Sequence, residues 1–338
     1  MTFSTRSAWT RFREPLKTSP KTTVRPAIPA DYPALVAVGK ASYPDYGETV
    51  EEWRHWDETW DHSKYFKLRL VAEDSGRVVG YGQVNHMRWA FVPTKYRVDV
   101  TVLPDLRGRG YGTALYDELA SAVTARGGRA LASAAKESMS DGVRFLTKRG
   151  YREVKRDWES RLFVKGFDFA RFGTADDRVA KQGIRIATLA DEMARDPGAL
   201  QKAFELNEDC RMDVPSVDPP TRHTFEEFRR DDVDAPNALL GAFYIAIDKD
   251  GRYLGISNMF RSLDDPTFLW QGLTGVRRDA RGKGIAMALK LRTVRYAIDN
   301  GIEHIKTWND VHNKAMLSIN EAMGFAKQPA WVSYEKDL

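Results

Sequence analysis

One short pattern occurs twice, in register, and divides the chain into two equivalent halves. Arg107-Gly108-Arg109-Gly110-Tyr111-Gly112 returns as Arg281-Gly282-Lys283-Gly284-Ile285-Ala286. The stretch from Arg107 to the pair Gly150-Tyr151 is as long as the stretch from Arg281 to Gly324-Phe325. Ala114 and Ala288, Leu115 and Leu289, and Gly127 and Gly301 fall on the same offset. One copy alone would be weak evidence. Two copies aligned without a gap indicate an internal duplication. At 338 residues the chain can house one domain of ordinary size around each copy.

The hydrophobic pattern repeats the same order of elements around each loop. In the first half, residues 23–26 read as a short strand and Asp31 as the N-cap of a helix. Residues 67–72, 78–84 and 96–102 read as strands, the last broken by Pro104-Asp105. The glycine loop leads into a helix at 113–125, stopped by Gly127-Gly128. A strand at 130–134, a helix at 141–148 and a closing strand at 158–165 follow. Residues 166–182 are polar, lack a strong period and read as a linker. The second half repeats the order: a strand at 183–186, a helix from Leu189, and a hairpin of 242–247 and 253–260. A strand at 268–276, a helix at 287–299, a strand at 304–308, a helix at 314–323 and a final strand at 331–334 complete it. The expected class is α+β. Two tandem domains, 22–165 and 183–338, each hold a mixed, largely antiparallel sheet flanked by helices. An arm of residues 1–21 precedes them.

Bulk properties exclude several functions. The net charge of +5 comes from 52 basic and 47 acidic residues. That excess suits an anionic ligand but is too small and scattered for nucleic-acid binding. No apolar run is long enough to span a membrane. The first twenty residues lack the apolar segment of a secretory signal. Cys210 is the only cysteine, so no intrachain disulfide forms, and a cytoplasmic location is expected. No His/Cys/Asp cluster has ligand spacing for a metal.

A glycine turn running into a helix presents backbone N–H groups that have no intrahelical partner, at the positive end of the helix dipole. Arg107, Arg109, Arg281 and Lys283 add cations. A diphosphate is the natural guest. The spacing is not that of a Walker loop, and G-x-G-x-x-G with a surrounding βαβ unit is absent.

Val100-Thr101-Val102-Leu103-Pro104, then Arg107 to Gly112, then helix, strand and a helix ending in Gly-Tyr, resembles the GNAT acetyltransferase superfamily. The second half shows the same order as Thr274-Gly275-Val276 and Arg281 to Ala286, with Ala286 at the last small position. The doubled arrangement resembles tandem GNAT proteins such as the mycothiol synthase group, over residues 22–165 and 183–335. The resemblance implies an N-acyltransferase with acetyl-CoA as co-substrate. It implies that Arg107, Gly108, Arg109, Gly110, Tyr111 and Gly112, and Arg281, Gly282, Lys283, Gly284, Ile285 and Ala286, bind the diphosphate. Val100, Thr101 and Val102, and Thr274, Gly275 and Val276, would hydrogen-bond the pantetheine arm.

The halves differ in two further positions of the family pattern. Asn313 matches the cofactor-contacting Asn. The position of the Tyr that protonates the departing thiolate is Asn320, a departure. The first half has Met139 and Leu146 there. The resemblance therefore points to the second half as the catalytic one, with Asn320 or a water assisting the thiolate. An amine of pKa ~10.4 must lose a proton before it attacks. Glu208 and Asp213 lie where the family's acceptor-binding helices fall and are candidate bases. Asp209, Asp264, Asp265 and Asp99 also read as solvated surface acids. His304 and His312 have no nameable partner. Trp53, Trp56 and Trp60 share one helical face beside Glu51, Glu52, Asp57, Glu58 and Asp61. They read as a core stripe or as an aromatic, acidic pocket for a cationic amine. Asp213-Val214-Pro215 and Asp218-Pro219-Pro220 suggest a mobile lid. The acceptor is a small-molecule or peptide amine that the sequence does not identify. No nucleic acid or membrane partner is expected, and the oligomeric state is not legible. The rival reading is an acyl-CoA-binding protein without catalysis.

Overall fold

The computed structural model describes residues 22–338, so the expected arm lies outside the described residues. The first half comprises β1 (Thr22–Pro26), α1 (Tyr32–Ser42), α2 (Val50–Glu58), β2 (Lys67–Asp74), β3 (Arg77–Asn85), β4 (Lys95–Val102), α3 (Tyr111–Ala125), β5 (Ala130–Lys136), α4 (Ser140–Thr147) and β6 (Arg152–Phe163). After α5 (Ala175–Ala180) come β7 (Arg185–Thr188), α6 (Leu189–Arg195), α7 (Ala199–Arg211), α8 (Phe225–Phe228), β8 (Tyr244–Ile247), β9 (Tyr253–Arg261) and β10 (Phe268–Val276). The chain closes with α9 (Ile285–Asp299), β11 (His304–Asp310), α10 (Lys314–Met323), β12 (Ala326–Lys327) and β13 (Trp331–Asp337). The class is the expected α+β, with mixed, largely antiparallel pairing.

A single sheet runs through both halves in the order β1-β2-β3-β4-β5-β13-β6-β11-β10-β9-β8-β7. Its only parallel pairs among the described residues are β4 with β5 and β10 with β11. Each pair is laddered over three residues, Lys95–Arg97 against Ala130–Ala132 and Phe268–Trp270 against His304–Lys306. Beyond them the strands part, which opens a gap edged by backbone groups free to bond something else. The loop-to-helix turn stands at the mouth of each gap.

The halves exchange their last strands. The start of β6 pairs with β13, while its end, Asp157–Phe163, pairs with β11. β13 in turn lies between β5 and β6. The packing explains the exchange: Leu162 and Val164 are buried in the second core, Val332 and Tyr334 in the first. The linker is also more ordered than its polarity suggests. Phe167, Phe169 and Phe172 pack against the second core, and Val179 of α5 is fully covered.

On one face of β4, Val98, Val100 and Val102 pack with Leu115 and Leu119 of α3. By alternation, Arg97, Asp99 and Thr101 face the other way, toward α1 and α2. In the second half α9 buries two polar side chains at its centre, Lys290 and Thr293. Lys290 is buried, 3.4 Å from the Gln271 Oε1 and 4.7 Å over the Phe325 ring. Burial pushes its ammonium down from 10.5 to about 7. Between those values the unfolded chain binds the proton that the folded chain releases, so this group's contribution to stability rises with pH. Lys290→Met should therefore be more stable than the parent at pH 7, by about 2 kcal/mol or more. The difference should close as pH approaches 10. Denaturant melts at both pH values check this; a pH-independent difference would contradict it.

Candidate active site

In both halves the chain enters the helix through left-handed glycines: Gly108 and Gly110 at φ 78° and 96°, Gly282 and Gly284 at 79° and 83°. Gly110 and Gly284 are the N-cap residues of α3 and α9, and neither helix start is capped by a side chain. The Nε of Arg107 donates to the Val102 carbonyl (3.3 Å), and that of Arg281 to the Val276 carbonyl (3.1 Å). The two arginines thus tie each loop to the end of the strand before it.

The surroundings of the two loops differ. A Cβ placed on Gly108 or Gly110 would meet nothing within 4 Å. One on Gly284 would come within 3.2 Å of Arg178 Cδ. Gln182 Nε2 also donates to the Lys283 carbonyl at 3.1 Å, so the segment carrying α5 lies against the second loop. Asp213 accepts from Arg281, and from Arg278 Nε at 3.0 Å. A carboxylate therefore already sits on the arginine that would meet a phosphate.

A cleft of about 680 Å³ opens between β4 and β5 in the first half. Val100, Thr101 and Val102 form one wall, the loop Arg107 to Gly112 its end, and α4 the other wall. Arg107, Arg144, Lys148 and Arg149 supply its cations. Gly112 and Gly142 line it; in the duplicated register they correspond to Ala286 and Met316, which carry bulk at those places. Tyr116, another lining residue, corresponds to Lys290.

Tyr43 and Asp99 bring the cleft to the α1–α2 side of β4. Asp99 is held by Arg97 through two bonds of 2.7 and 2.9 Å. Glu48, in the loop between α1 and α2, makes no ion pair to any described residue. Burial, then the neighbouring Glu52, push its carboxyl up to about 7. The Trp53 indole N–H faces it and is itself buried without a partner. The Tyr81 hydroxyl, beside Glu48 and Thr101, is held protonated by burial. Sequence reasoning passed over Glu48, because nothing in its local sequence marks it.

The acids expected from sequence are engaged elsewhere. Glu208 is buried, bound by Arg211 Nε (2.9 Å) and by the His223 backbone N–H (3.0 Å). Its acceptor oxygens are taken. Arg278 and Arg281 hold Asp213 below the usual carboxylate range. Neither is arranged as a base. Asp209 pairs with Arg277, Asp264 with Lys40, and Asp265 accepts from Thr267. Asn313 caps α10 by accepting from the Met316 N–H (3.3 Å). Asn320 is buried, with Nδ2 on Asn309 Oδ1 (2.6 Å) and its own Oδ1 unpartnered. The second half has one acid pushed up to about 7, the half-buried Asp232, which accepts from Asn258 Nδ2 (3.3 Å). Burial lifts the Cys210 thiol to about 12, so it is no nucleophile.

The tryptophan stripe divides. Trp53 packs edge-on to Tyr81 (5.6 Å) at the acceptor side, while Trp56 is 39% exposed. The Trp60 ring carries the protein's own Lys67 and Arg88. The expected lid is fastened: the Thr221 N–H donates to the Trp89 carbonyl (2.9 Å), and Asp218 pairs with Lys95 (2.7 Å). Among the described residues no helix is long and apolar enough to cross a membrane, and no group of three or more His, Cys, Asp or Glu could hold a metal ion.

Comparison with known proteins agrees with this geometry. The profile of the acetyltransferase (GNAT) family matches residues 35–151 and again 200–325. No curated protein matches the chain. Among solved structures, a tandem GNAT protein from the clavulanic acid biosynthesis pathway superposes with a TM-score of 0.72 at 17% identity, over 94% of this chain and 98% of its own. A GCN5-related N-acetyltransferase from Sphaerobacter thermophilus gives 0.65 at 21% identity, over 95% and 97%. A putative acetyltransferase from Pyrococcus horikoshii gives 0.56 at 13%, over 98% and 94%. At these identities the likeness establishes the tandem fold and says nothing about mycothiol chemistry.

Proposed function

Because the chain belongs to the acetyltransferase (GNAT) family, we propose that it moves an acetyl group from acetyl-CoA to an amine, and that its first half is the working site. The observation that carries this reading is the contrast between the loops. Gly108 and Gly110 face open space and a cleft, with Asp141 4.0 Å from Arg107, whereas in the second loop Asp213 bonds Arg281 directly and Arg178 lies against Gly284, leaving only Gly282 open. The fit to acetyl-CoA is good in the first half. The N–H groups at the start of α3 and the side chain of Arg107 suit a diphosphate. The edge of Val100 and Thr101 beyond the β5 ladder suits the amide-bearing arm, and Arg144, Lys148 and Arg149 suit further phosphate. This reverses the preference for the second half that Asn313 and Asn320 suggest.

Glu48 takes the proton of the attacking ammonium. With a pKa of about 7 it is about half ionised at neutral pH and basic enough to accept. The amine nitrogen then bonds the thioester carbon, and the carbon–sulfur bond breaks to release a thiolate, while the second proton on nitrogen passes to solvent to leave the neutral amide. Leu146 cannot protonate that thiolate. A thiol of pKa ~8.5 leaves tolerably without help. Tyr43, which burial keeps protonated on the cleft wall, can donate to it. Leu146 at the family's Tyr position favours the second reading, an acyl-CoA-binding protein without turnover. The Glu48 environment speaks against it. A photoreactive CoA analogue should label peptides around α4. Labelling confined to peptides around α10 would sink the first-half assignment.

A further inference from the structure

The loop that carries Glu48 belongs to the first half, but it is held from both halves. Tyr46 stacks parallel to Trp270 (6.2 Å, 9°) and meets Trp331 edge-on (5.4 Å). Its hydroxyl donates to Glu159 and accepts from Lys136 Nζ (2.6 Å). The Asp45 carbonyl accepts from Lys306 Nζ (2.8 Å), and its carboxylate from Arg161 (2.9 Å). Lys306 is buried, and its ammonium lies 3.5 Å from the centre of the Phe268 ring. That is an expensive place for a lysine whose single hydrogen-bond acceptor among the described residues is this loop carbonyl. The β9–β10 turn adds Asp264, which pairs with Lys40 on α1 and whose carboxylate occupies the place of a Gly47 Cβ. Gly47 has φ −60° and ψ 144°, which any residue adopts. What a side chain there would meet is the Asp264 carboxylate, which overlaps an added Cβ and would have to swing away from the loop.

We propose that the second half works as a clamp on the first half's acceptor loop, with Asp264 and Lys306 as positioning residues for Glu48. The inference rests on the reading of the first half as the catalytic one. It gives the second half a role that its loop, covered by Asp213 and Arg178, does not supply. It also explains the strand exchange in functional terms, since Glu159 and Arg161 on β6 and Trp331 on β13 are parts of the same clamp.

The test is a cycle of Gly47→Ala, Asp264→Gly and the double variant. Acceptor kcat and KM, acetyl-CoA Kd, melting temperature and amide hydrogen exchange of residues 43–49 are read for each. Gly47→Ala should lower kcat about tenfold or more, because sub-ångström misplacement of a base is costly. Exchange at 43–49 should rise, with melting temperature and acetyl-CoA Kd unchanged. In the Asp264→Gly background, where the obstruction is gone, the same substitution should cost less than about twofold. Lys306→Met, which keeps the stem and loses the ammonium, should raise exchange at 43–49 as well. An unchanged loop in Gly47→Ala, or an equal penalty in both backgrounds, would overturn the clamp. A parent protein that binds acetyl-CoA but acetylates no amine would instead defeat the catalytic reading, while the exchange data would still decide the clamp.

Discussion

Gly110→Val should lower acetyl-CoA affinity by more than about a hundredfold, whereas Gly284→Val should leave it within about twofold. Gly110 stands at φ 96°, where a β-branched residue is strained by about 1–2 kcal/mol. Strain alone would not separate the two variants, because Gly284 stands at φ 83°. The difference lies in what surrounds the loops. An isopropyl group on Gly110 projects into the space from which a diphosphate must reach the first N–H groups of α3. One on Gly284 meets Arg178 of the protein itself. Gly284→Val should therefore lose at least as much stability as Gly110→Val in a thermal melt, yet only Gly110→Val should lose the ligand. Calorimetry on folded samples of each separates binding from folding. Equal loss of affinity in both would count against the assignment.

The second large effect belongs to Glu48. Glu48→Gln should lower kcat by about 10²–10⁴-fold and leave acetyl-CoA affinity unchanged. The carboxyl of Glu48 accepts a proton only when ionised, so parent kcat/KM should rise with pH through about 7 and then level. That limb should be missing in the variant. Stability should move the other way. Between 4.5 and about 7 the folded chain holds a proton on Glu48 that the unfolded chain has lost, so this group makes stability fall as pH rises. Glu48→Gln should thus be the more stable protein at pH 8. A variant that is both active and unchanged in its pH profile would show the base to be another group.

Much of this was legible in the sequence. The duplication, the glycine loops and the class of fold follow from patterns that depend on local chemistry: positive φ at Gly110 and Gly284, and β-branched strands leading into them. The strand exchange was not legible. Alternation along 152–163 and 331–337 says that one face is buried, but not against which core, and Leu162 and Val332 each fill the neighbour's. The choice between halves was obscured for a related reason. Asn313 and Asn320 fit the family's positions, yet what covers the second loop, Asp213 and Arg178, lies far from it in sequence. Ala286 and Met316, opposite Gly112 and Gly142, were the available signal. Glu48 was invisible because its basicity comes first from burial, which only the fold assembles, with Glu52 adding to it.

The central claim is that one half binds the acyl donor and the other supports it. A calorimetric titration of the folded protein with acetyl-CoA tests this most directly. The account predicts saturation at one equivalent per chain, lost in Gly110→Val and kept in Gly284→Val. Two equivalents in the parent, or one that survives Gly110→Val and vanishes in Gly284→Val, would contradict it.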